Sequence, residues 1–173
     1  KRRNIQSADL KIKMRLGQDI TPQSLKTCYS IYIQTIDKKQ YLDYLSDQFF
    51  ELIADTLQDK IMLTMAQKGD EIIAMALFYF SDEVLYGRNW GISAKHEDEY
   101  KLLHFELCYY QGLDFCFEKD LKTFEAGAQG EHKLLRGFEP VTINSCHHIK
   151  NHHFAMPISA DIKQKHTNTQ STI

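Results

Sequence analysis

The amino-acid sequence predicts an α/β (α+β) domain in which helices cover a mixed sheet. Segments with helical spacing of apolar residues occur between segments that are continuously apolar or that alternate strictly, as strands do. The length of 173 residues suits one domain that is large enough to bury its own core. This order of elements is typical of domains that pack helices against a sheet.

The first part of the chain predicts one strand and two helices. Residues 10–16 alternate between apolar and basic side chains, the pattern of a strand with one buried face. Thr21 is a suitable N-cap and Pro22 a suitable first residue for a helix whose apolar side chains recur over residues 25–36. Residues 46–58 are amphipathic and predict a second helix, with Ser46 or Asp47 as its N-cap.

The middle of the chain predicts a three-strand meander followed by a long helix. Three apolar or β-rich runs, residues 61–66, 72–80 and 84–90, are separated by short turn sequences. Residues 100–119 carry apolar side chains at helical spacing and predict the long helix.

The last third predicts two short strands and a polar tail. Residues 122–125 and 141–149 have strand character and lie on either side of a glycine-containing connection, residues 127–137. Residues 159–173 are polar, and we expect them to be frayed.

Charge and hydropathy exclude several classes of protein. Lys and Arg number 21 against 23 for Asp and Glu, so no overall basic field attracts nucleic acid, and we expect no DNA partner. The longest apolar run, residues 72–80, is about half of the ~20 residues that span a bilayer, so we expect no membrane insertion. The four cysteines lack paired spacing and predict reduced thiols in a cytoplasmic protein.

Three patches of sequence together resemble a known family. They are LYGRNWG at residues 85–91, LHFELCYYQG at 103–112, and FEAGAQGEHK at 124–133 continuing to RGF at 136–138. The combination resembles the bacterial FemAB-like predicted N-acyltransferases, which are labelled peptidoglycan biosynthesis or recognition proteins. The order of elements is also similar to the acetyltransferase (GNAT) fold of the Gcn5-related superfamily.

The resemblance implies a fold and a domain organisation. It implies a GNAT-like, mixed and mostly antiparallel sheet with helices on both faces, formed by residues 1–158 as a single domain. Members of the family are roughly twice as long and contain two such domains. Because the chain starts with Lys1 and not Met, we expect it to be the C-terminal half of a longer protein.

The resemblance also implies a function. It implies transfer of an acyl or aminoacyl group to an amine of a small molecule or cell-wall precursor, from acyl-coenzyme A or aminoacyl-tRNA. The alternative is a non-catalytic domain that recognises peptidoglycan or another ligand on the same fold. The superfamily's glycine-rich pyrophosphate loop is absent, and Glu97, Asp98 and Glu99 in its place are expected to repel the pyrophosphate of free coenzyme A.

Strand residues 84–90 supply the first candidate substrate-binding side chains. Strict alternation places Tyr86, Arg88 and Trp90 on one face. We expect Arg88 to be buried and paired with a carboxylate, either Glu125 or Glu106, since an unpaired buried guanidinium is costly. Arg88 then either binds a carboxylate or phosphate of the substrate or forms a purely structural pair.

Residues 125–133, which we call the glycine loop, form the densest polar cluster and our best candidate for the catalytic site. Its two glycines allow a tight turn with N–H groups directed at a ligand. Glu131 or His132 is a candidate to accept the proton of the amine, and Gln129 and Lys133 are candidates to bind the substrate.

The predicted long helix contributes two more candidates. His104 is a third possible general base, and Glu106 is a candidate partner of Arg88 or Lys133. These two helix residues lie about 200° apart around the axis, so we expect one of them at the surface. The histidines near the C-terminus lack metal-ligand spacing, and no metal site is expected.

Overall fold

The chain divides into two compact units, Lys1–Gln129 and Gly130–Ile173. The computed structural model describes residues 9–38, 45–127, 131–143, 146 and 148–170.

Within the described residues, the first unit contains one five-stranded sheet whose strands lie side by side in chain order. The strands are β1 (Lys11–Leu16), β2 (Ile61–Lys68), β3 (Glu71–Phe80), β4 (Val84–Ile92) and β5 (Thr123–Glu125). Neighbouring strands are antiparallel except β4 and β5, which are parallel. The mixed, mostly antiparallel sheet is therefore confirmed, and β4 and β5 are adjacent.

Helices cover both faces of this sheet, as expected. One face packs against α1 (Pro22–Lys38) and α2 (Asp47–Thr56), and the other packs against a long helix, α3, of residues 103–119. Helix α3 consists of Leu103–Phe105, a π-helical segment Glu106–Tyr110, and Gln111–Lys119.

The predicted caps of the first two helices are confirmed. The Thr21 hydroxyl accepts a hydrogen bond from the backbone N–H of Ser24 at 3.1 Å. The Ser46 hydroxyl accepts one from the N–H of Phe49 at 3.4 Å. These side chains satisfy N–H groups that have no partner within the first helical turn.

Strand β2 shows why residues 61–66 are apolar without interruption. Ile61, Leu63 and Met65 pack towards α1 and α2, whereas Met62 and Ala66 pack towards α3. Each of these residues is fully buried because helices cover both faces of the strand. The sheet is thus the middle layer between two apolar cores.

A buried hydroxyl joins the sheet to α3 at the π-helical segment. Thr64 of β2 has no solvent exposure, and its Oγ1 donates a hydrogen bond to the backbone carbonyl of Leu107 at 3.1 Å. A π-helical turn departs from the usual α-helical hydrogen bonding. The threonine therefore satisfies a carbonyl in the irregular part of the helix and fixes the helix on the sheet.

Helix α1 lies unusually close to the end of β4. A Cβ atom on Gly91 would be 3.0 Å from the carbonyl oxygen of Ile31. The Thr35 hydroxyl accepts a hydrogen bond from the N–H of Ile92 at 3.1 Å, and Gln34 Oε1 accepts one from the N–H of Ala94 at 3.1 Å. The end of β4 is therefore bonded to a helix where a further strand would otherwise pair.

The long helix begins later than the sequence pattern predicts. It starts at Leu103 and not at residue 100, because residues 94–102 form successive turns. No helix among the described residues has both the length and the apolar character that a membrane crossing requires.

The second unit differs from its prediction. The described positions among residues 141–149 contain no strand, and residues 152–170, most of the expected tail included, form α4 (His152–Gln170). Asn151 Oδ1 accepts a hydrogen bond from the N–H of His153 at 2.9 Å and so caps α4. The polar composition and Pro157 within the helix concealed α4, although the asparagine cap is visible in the sequence.

Replacing Gly112 by alanine tests the packing of α3 on β5. A Cβ there would lie 2.6 Å from two ring atoms of Phe124. Alanine is ordinarily favoured over glycine in helices by about 1 kcal/mol, but overpacking costs about 1–3 kcal/mol. We therefore expect Gly112→Ala to lower the free energy of unfolding, measured by urea denaturation.

The matched control for Gly112→Ala is the same substitution in a Phe124→Leu background. The smaller side chain removes the close contact, so alanine should be neutral or stabilising there. An equal loss of stability in both backgrounds would contradict the packing explanation.

Candidate functional site

An extra residue in β4 shapes the candidate site. Gly87 of β4 pairs with Phe78 of β3, and Asn89 pairs with Leu77, so Arg88 has no residue opposite to it. Such a β-bulge reverses the alternation of the side chains that follow it.

The bulge overturns one prediction about β4. Leu85 and Trp90 both pack into the core under α3, although five positions separate them. The expectation that Tyr86, Arg88 and Trp90 share one face is therefore wrong. Strict alternation holds only in a strand without an extra residue.

The parallel pair β4 and β5 separates close to the bulge. Its last paired residues are Tyr86 and Glu125, and beyond them β4 continues without β5 beside it. A cavity of about 100 Å³ lies at this point between the sheet and α3. Its lining residues come from β3, β4, α3 and the end of β5: Ala76, Leu77, Phe78, Gly87, Arg88, Asn89, Trp90, His104, Cys108, Tyr109 and Ala126.

Arg88 stands at the edge of this cavity and is half exposed. Its Nη1 donates to Glu125 Oε1 at 3.0 Å, and its guanidinium lies 5.4 Å from the centre of the Tyr86 ring. The predicted partner Glu125 is confirmed, but the predicted burial is wrong, since 43% of the side chain is accessible. The bulge turns Arg88 towards the opening of the cavity. Because the Arg88–Glu125 ion pair is accessible to solvent there, it stabilises the fold little.

His104 lies inside the cavity wall among aromatic rings. Its imidazole meets the Trp90 indole edge-to-face with ring centres 5.1 Å apart, and the Tyr109 ring at 5.4 Å. Edge-to-face contacts of this kind favour one orientation of the rings. The imidazole is therefore held at the cavity, although its role as a base stays a prediction.

Glu106 does not join His104 at the cavity. It is only 3% exposed and His104 is half-buried, so neither residue is fully exposed, although we expected one of them at the surface. Glu106 Oε1 accepts a hydrogen bond from Gln111 Nε2 at 2.9 Å, within the same helix. Its expected pairing with Arg88 is replaced by the Arg88–Glu125 contact.

Of the glycine-loop candidates, Glu131, His132 and Lys133 belong to the start of the second unit, and Gln129 ends the first. Gln129 and the side chain of Glu131 are outside the described residues. His132 and Lys133 belong to a 3-10 helix, Glu131–Arg136. Desolvation lowers the pKa of both side chains, and the charges of Arg136 and Lys133 lower that of His132 further. A lowered pKa favours the neutral form that a base requires, and their roles stay predictions.

The acidic loop before α3 is largely paired. Glu97 lies 2.5 Å from the Lys38 ammonium, and Glu99 lies 2.8 Å from that of Lys68. The imidazole of His96, which is 4% exposed, lies 3.1 Å from Glu99. Asp98 is exposed. Two lysines thus reduce the negative field that the sequence alone predicts here.

The sequence interpretation missed Cys108, which the cavity reveals. Cys108 follows His104 by four positions and so lies on the same face of the helix. That spacing could have identified it. Ala76 and Phe78 lie on another strand, and only the pairing of β3 with β4 brings them to the site. Across the described residues, no group of three or more His, Cys, Asp or Glu side chains could hold a metal ion.

The sequence matches the model of one protein family over residues 1–173. The family is FemAB-like and is described as peptidoglycan biosynthesis/recognition. No curated protein matches the sequence.

Solved structures of acetyltransferases have the same fold. A possible acetyltransferase from Clostridium difficile 630 has 9% identity and a TM-score of 0.59, with 83% of this chain and 99% of that chain covered. An aminoglycoside N-acetyltransferase in complex with CoA has 11% identity and a TM-score of 0.55, with coverage of 82% and 95%. Glucosamine-6-phosphate N-acetyltransferase from Arabidopsis thaliana has 10% identity and a TM-score of 0.52, with coverage of 81% and 99%. These similarities confirm the GNAT fold.

The ion pair of Glu99 predicts a specific dependence of stability on pH. Hydrogen bonds from Lys68 and His96 hold the pKa of this carboxyl at about 2, below its ordinary 4.5. Because the folded state has the lower pKa, the stabilisation is present above the ordinary value and is lost as the pH falls towards 2. The Tm difference between wild type and Glu99→Gln should therefore shrink below about pH 5.

Thermal unfolding at low ionic strength, followed at several pH values, measures this difference. Asp98→Asn is the control, because its exposed neighbouring carboxylate should show a smaller effect. A Tm difference for Glu99→Gln that does not change with pH would contradict the assignment.

Proposed function

The chain belongs to the FemAB-like family, described as peptidoglycan biosynthesis/recognition, and on that premise we propose that it is an N-acyltransferase that acylates an amine. The acceptor is an amine of a small molecule or of a cell-wall precursor. The main observation that supports this proposal is the cavity where β4 and β5 separate, with His104 in its wall.

The geometry suits the binding of an acyl group. Past Tyr86, β4 is not paired with β5 in the described residues, so an extended donor has access to the backbone there up to Gly91, where α1 covers the edge. The cavity beside this edge lies between the sheet and α3 and is half open, so an acyl group there would be partly shielded from water. A bound donor supplies the activated carbonyl.

The side chains around the cavity have distinct roles in this proposal. His104 takes the proton that the attacking amine loses, because histidine titrates nearest to neutral pH. Trp90 and Tyr109 hold the imidazole in place through ring contacts. Arg88, half exposed beside the cavity, binds a phosphate or carboxylate of one of the substrates.

Acyl-coenzyme A is the donor that we favour. One acetyltransferase of the same fold was solved in complex with CoA. Lys38 and Lys68 also lie beside the loop before α3, where their ion pairs offset the negative charge of Glu97 and Glu99 that would repel a phosphate. Aminoacyl-tRNA is the second donor class and enters the test below.

A turnover assay tests the proposal. The purified protein is given acyl-coenzyme A or aminoacyl-tRNA with a panel of amines that includes peptidoglycan precursors, and release of free thiol or deacylated tRNA is measured. His104→Gln should lower kcat by about 10²- to 10⁴-fold. His153→Gln is the control, since this exposed residue lies at the start of α4.

Two other results would change the assignment. A loss of activity in His132→Gln with full activity in His104→Gln would move the base to the second unit. Ligand binding without turnover of any donor would favour the recognition function that the family description also contains.

The acidic loop predicts how donor affinity responds to charge. Glu97→Gln, Asp98→Asn and Glu99→Gln together remove three negative charges and release Lys38 and Lys68. The triple variant should bind acyl-coenzyme A several-fold tighter, a gain of about 1 kcal/mol, and the gain should decrease with added salt. Calorimetry measures the affinities.

The control for this charge change is Asp82→Asn with Glu83→Gln. These residues form the turn at the opposite end of β4 and should leave the affinity unchanged. An unchanged affinity in the triple variant, or tight binding by the unmodified chain at low salt, would show that the loop does not govern donor binding.

A further inference from the structure

His96 is a buried histidine outside the cavity. It lies in the successive turns of residues 94–102 that lead into α3, and its side chain is almost fully buried. Its backbone N–H donates a hydrogen bond to the carbonyl of Ser93 at 2.9 Å, and its own carbonyl accepts one from the N–H of Tyr100 at 3.1 Å. The backbone of His96 is therefore part of what shapes these turns.

Both ring nitrogens of His96 face carboxylates. Nδ1 lies 3.1 Å from Glu99 Oε2, within the same turns, and Nε2 lies 3.7 Å from Glu71 Oε2, at the start of β3. Among the described residues Nε2 has no hydrogen-bond partner, so its polar neighbour Glu71 stands at an ion-pair distance. The imidazole thus lies between the turns before α3 and the hairpin of β2 and β3.

The two carboxylates match a charged imidazole better than a neutral one. An ionised carboxylate only accepts hydrogen bonds, whereas a neutral imidazole has one N–H donor and one bare nitrogen that also accepts. With a neutral ring, the bare nitrogen faces a carboxylate and gains nothing from it. An imidazolium has an N–H on each nitrogen and is paired on both sides, which a buried charge requires.

The other charges around His96 leave the ring as the group that decides the balance. The titratable groups come from β2, β3, the end of α1 and the turns themselves: Lys68, Glu71, Lys38 with Glu97, Lys95, Glu99 and Tyr100. Lys68 pairs with Glu99 at 2.8 Å, and Lys95 pairs with Glu71 at 3.4 Å. Because hydrogen bonds from Lys68 and His96 hold the pKa of Glu99 at about 2, this carboxylate is ionised at neutral pH.

We propose that His96 is a positioning residue whose imidazolium pairs with Glu71 and Glu99 together and so holds the turns before α3 on the hairpin of β2 and β3. The inference rests on the proposed use of these turns for the phosphates of the donor, and it adds a dependence of donor binding on the charge of His96. When the ring loses its proton, one of its two contacts is lost. Donor affinity therefore falls as the pH rises from about 5.5 to 8, where histidine side chains ordinarily change their charge.

Hydrogen exchange tests the bridge without any ligand. The amide proton of Tyr100, bonded to the carbonyl of His96, reports on the turns. In the wild type its protection, corrected for the intrinsic exchange rate, should fall by about 5-fold or more between pH 5.5 and 8. In His96→Gln the protection should not change with pH, and a wild-type protection that is equal at all pH values would overturn the inference.

Glu71→Ala and Lys95→Ala are a matched pair of variants. Glu71→Ala removes the carboxylate that faces Nε2 and should abolish the pH dependence of the Tyr100 protection. Lys95→Ala removes the other partner of Glu71 but leaves both contacts of His96, so it should keep the wild-type dependence. Glu71 is half exposed, so its variant serves even if His96→Gln does not fold. An equal loss in both variants would assign the effect to the surface pair and overturn the inference.

Calorimetry with acetyl-coenzyme A measures the effect on donor binding. The Kd of the wild type should rise between pH 5.5 and 8 by at least about 5-fold more than that of His96→Gln. The comparison with this variant cancels the titration of the donor's own phosphate groups. In turnover assays at pH 5.5, His96→Gln should raise KM and leave kcat unchanged, because His96 lies outside the cavity.

The outcomes separate this inference from the proposed function. A pH-dependent protection with a Kd ratio that does not depend on pH would overturn the positioning role. A pH-dependent protection and Kd without turnover of any donor would refute acyl transfer and support the bridge. Turnover with a protection that does not depend on pH would support acyl transfer and overturn the bridge.

Discussion

A single additional residue in β4 determines the geometry of the candidate site. Arg88 has no residue opposite to it on β3. The side chains that follow it therefore lie on the opposite face of the sheet from the one that strict alternation would give them. Trp90 therefore points towards α3, and the Arg88 guanidinium remains at the rim with Glu125. The separation of β5 from β4 begins at the same point, so one local irregularity provides both an opening and its lining.

The position of α3 completes the cavity, and two contacts determine that position. The absence of a side chain at Gly112 lets the helix approach the Phe124 ring of β5. The hydroxyl of Thr64 reaches a backbone carbonyl of the same helix from the centre of the sheet. One contact lies within the π-helical segment, at Leu107, and the other lies just after it, at Gly112, so the cavity wall is attached to the sheet at two points. Close contacts such as these are typical of well-packed protein interiors.

Much of the fold could be predicted from local patterns, because helix caps, strand alternation and turn sequences act over a few residues. Arg88, Trp90, His104 and Glu125 were also identified, and three of them line the cavity. The exposure of Arg88 could not be predicted, because the bulge depends on how β3 and β4 pair and leaves no trace in the spacing. Ala76 and Phe78 of β3 are brought to the site by that same pairing. Helix α4 was missed since its polar sequence lacks the apolar stripe that reveals amphipathic helices.

The π-helical segment Glu106–Tyr110 has a consequence for how this chain can vary in length. Such a segment accommodates one residue more than an α-helix would over the same rise. Deleting one residue there would restore a regular helix with both halves in their present orientation, whereas inserting a further residue without a second bulge would rotate everything before it by about 100° relative to everything after it. His104 would then turn away from Trp90 while Phe115 kept its place in the core. The relative orientation of the two halves of the helix thus depends on the number of residues between them. An insertion there would disrupt the site more than a substitution would.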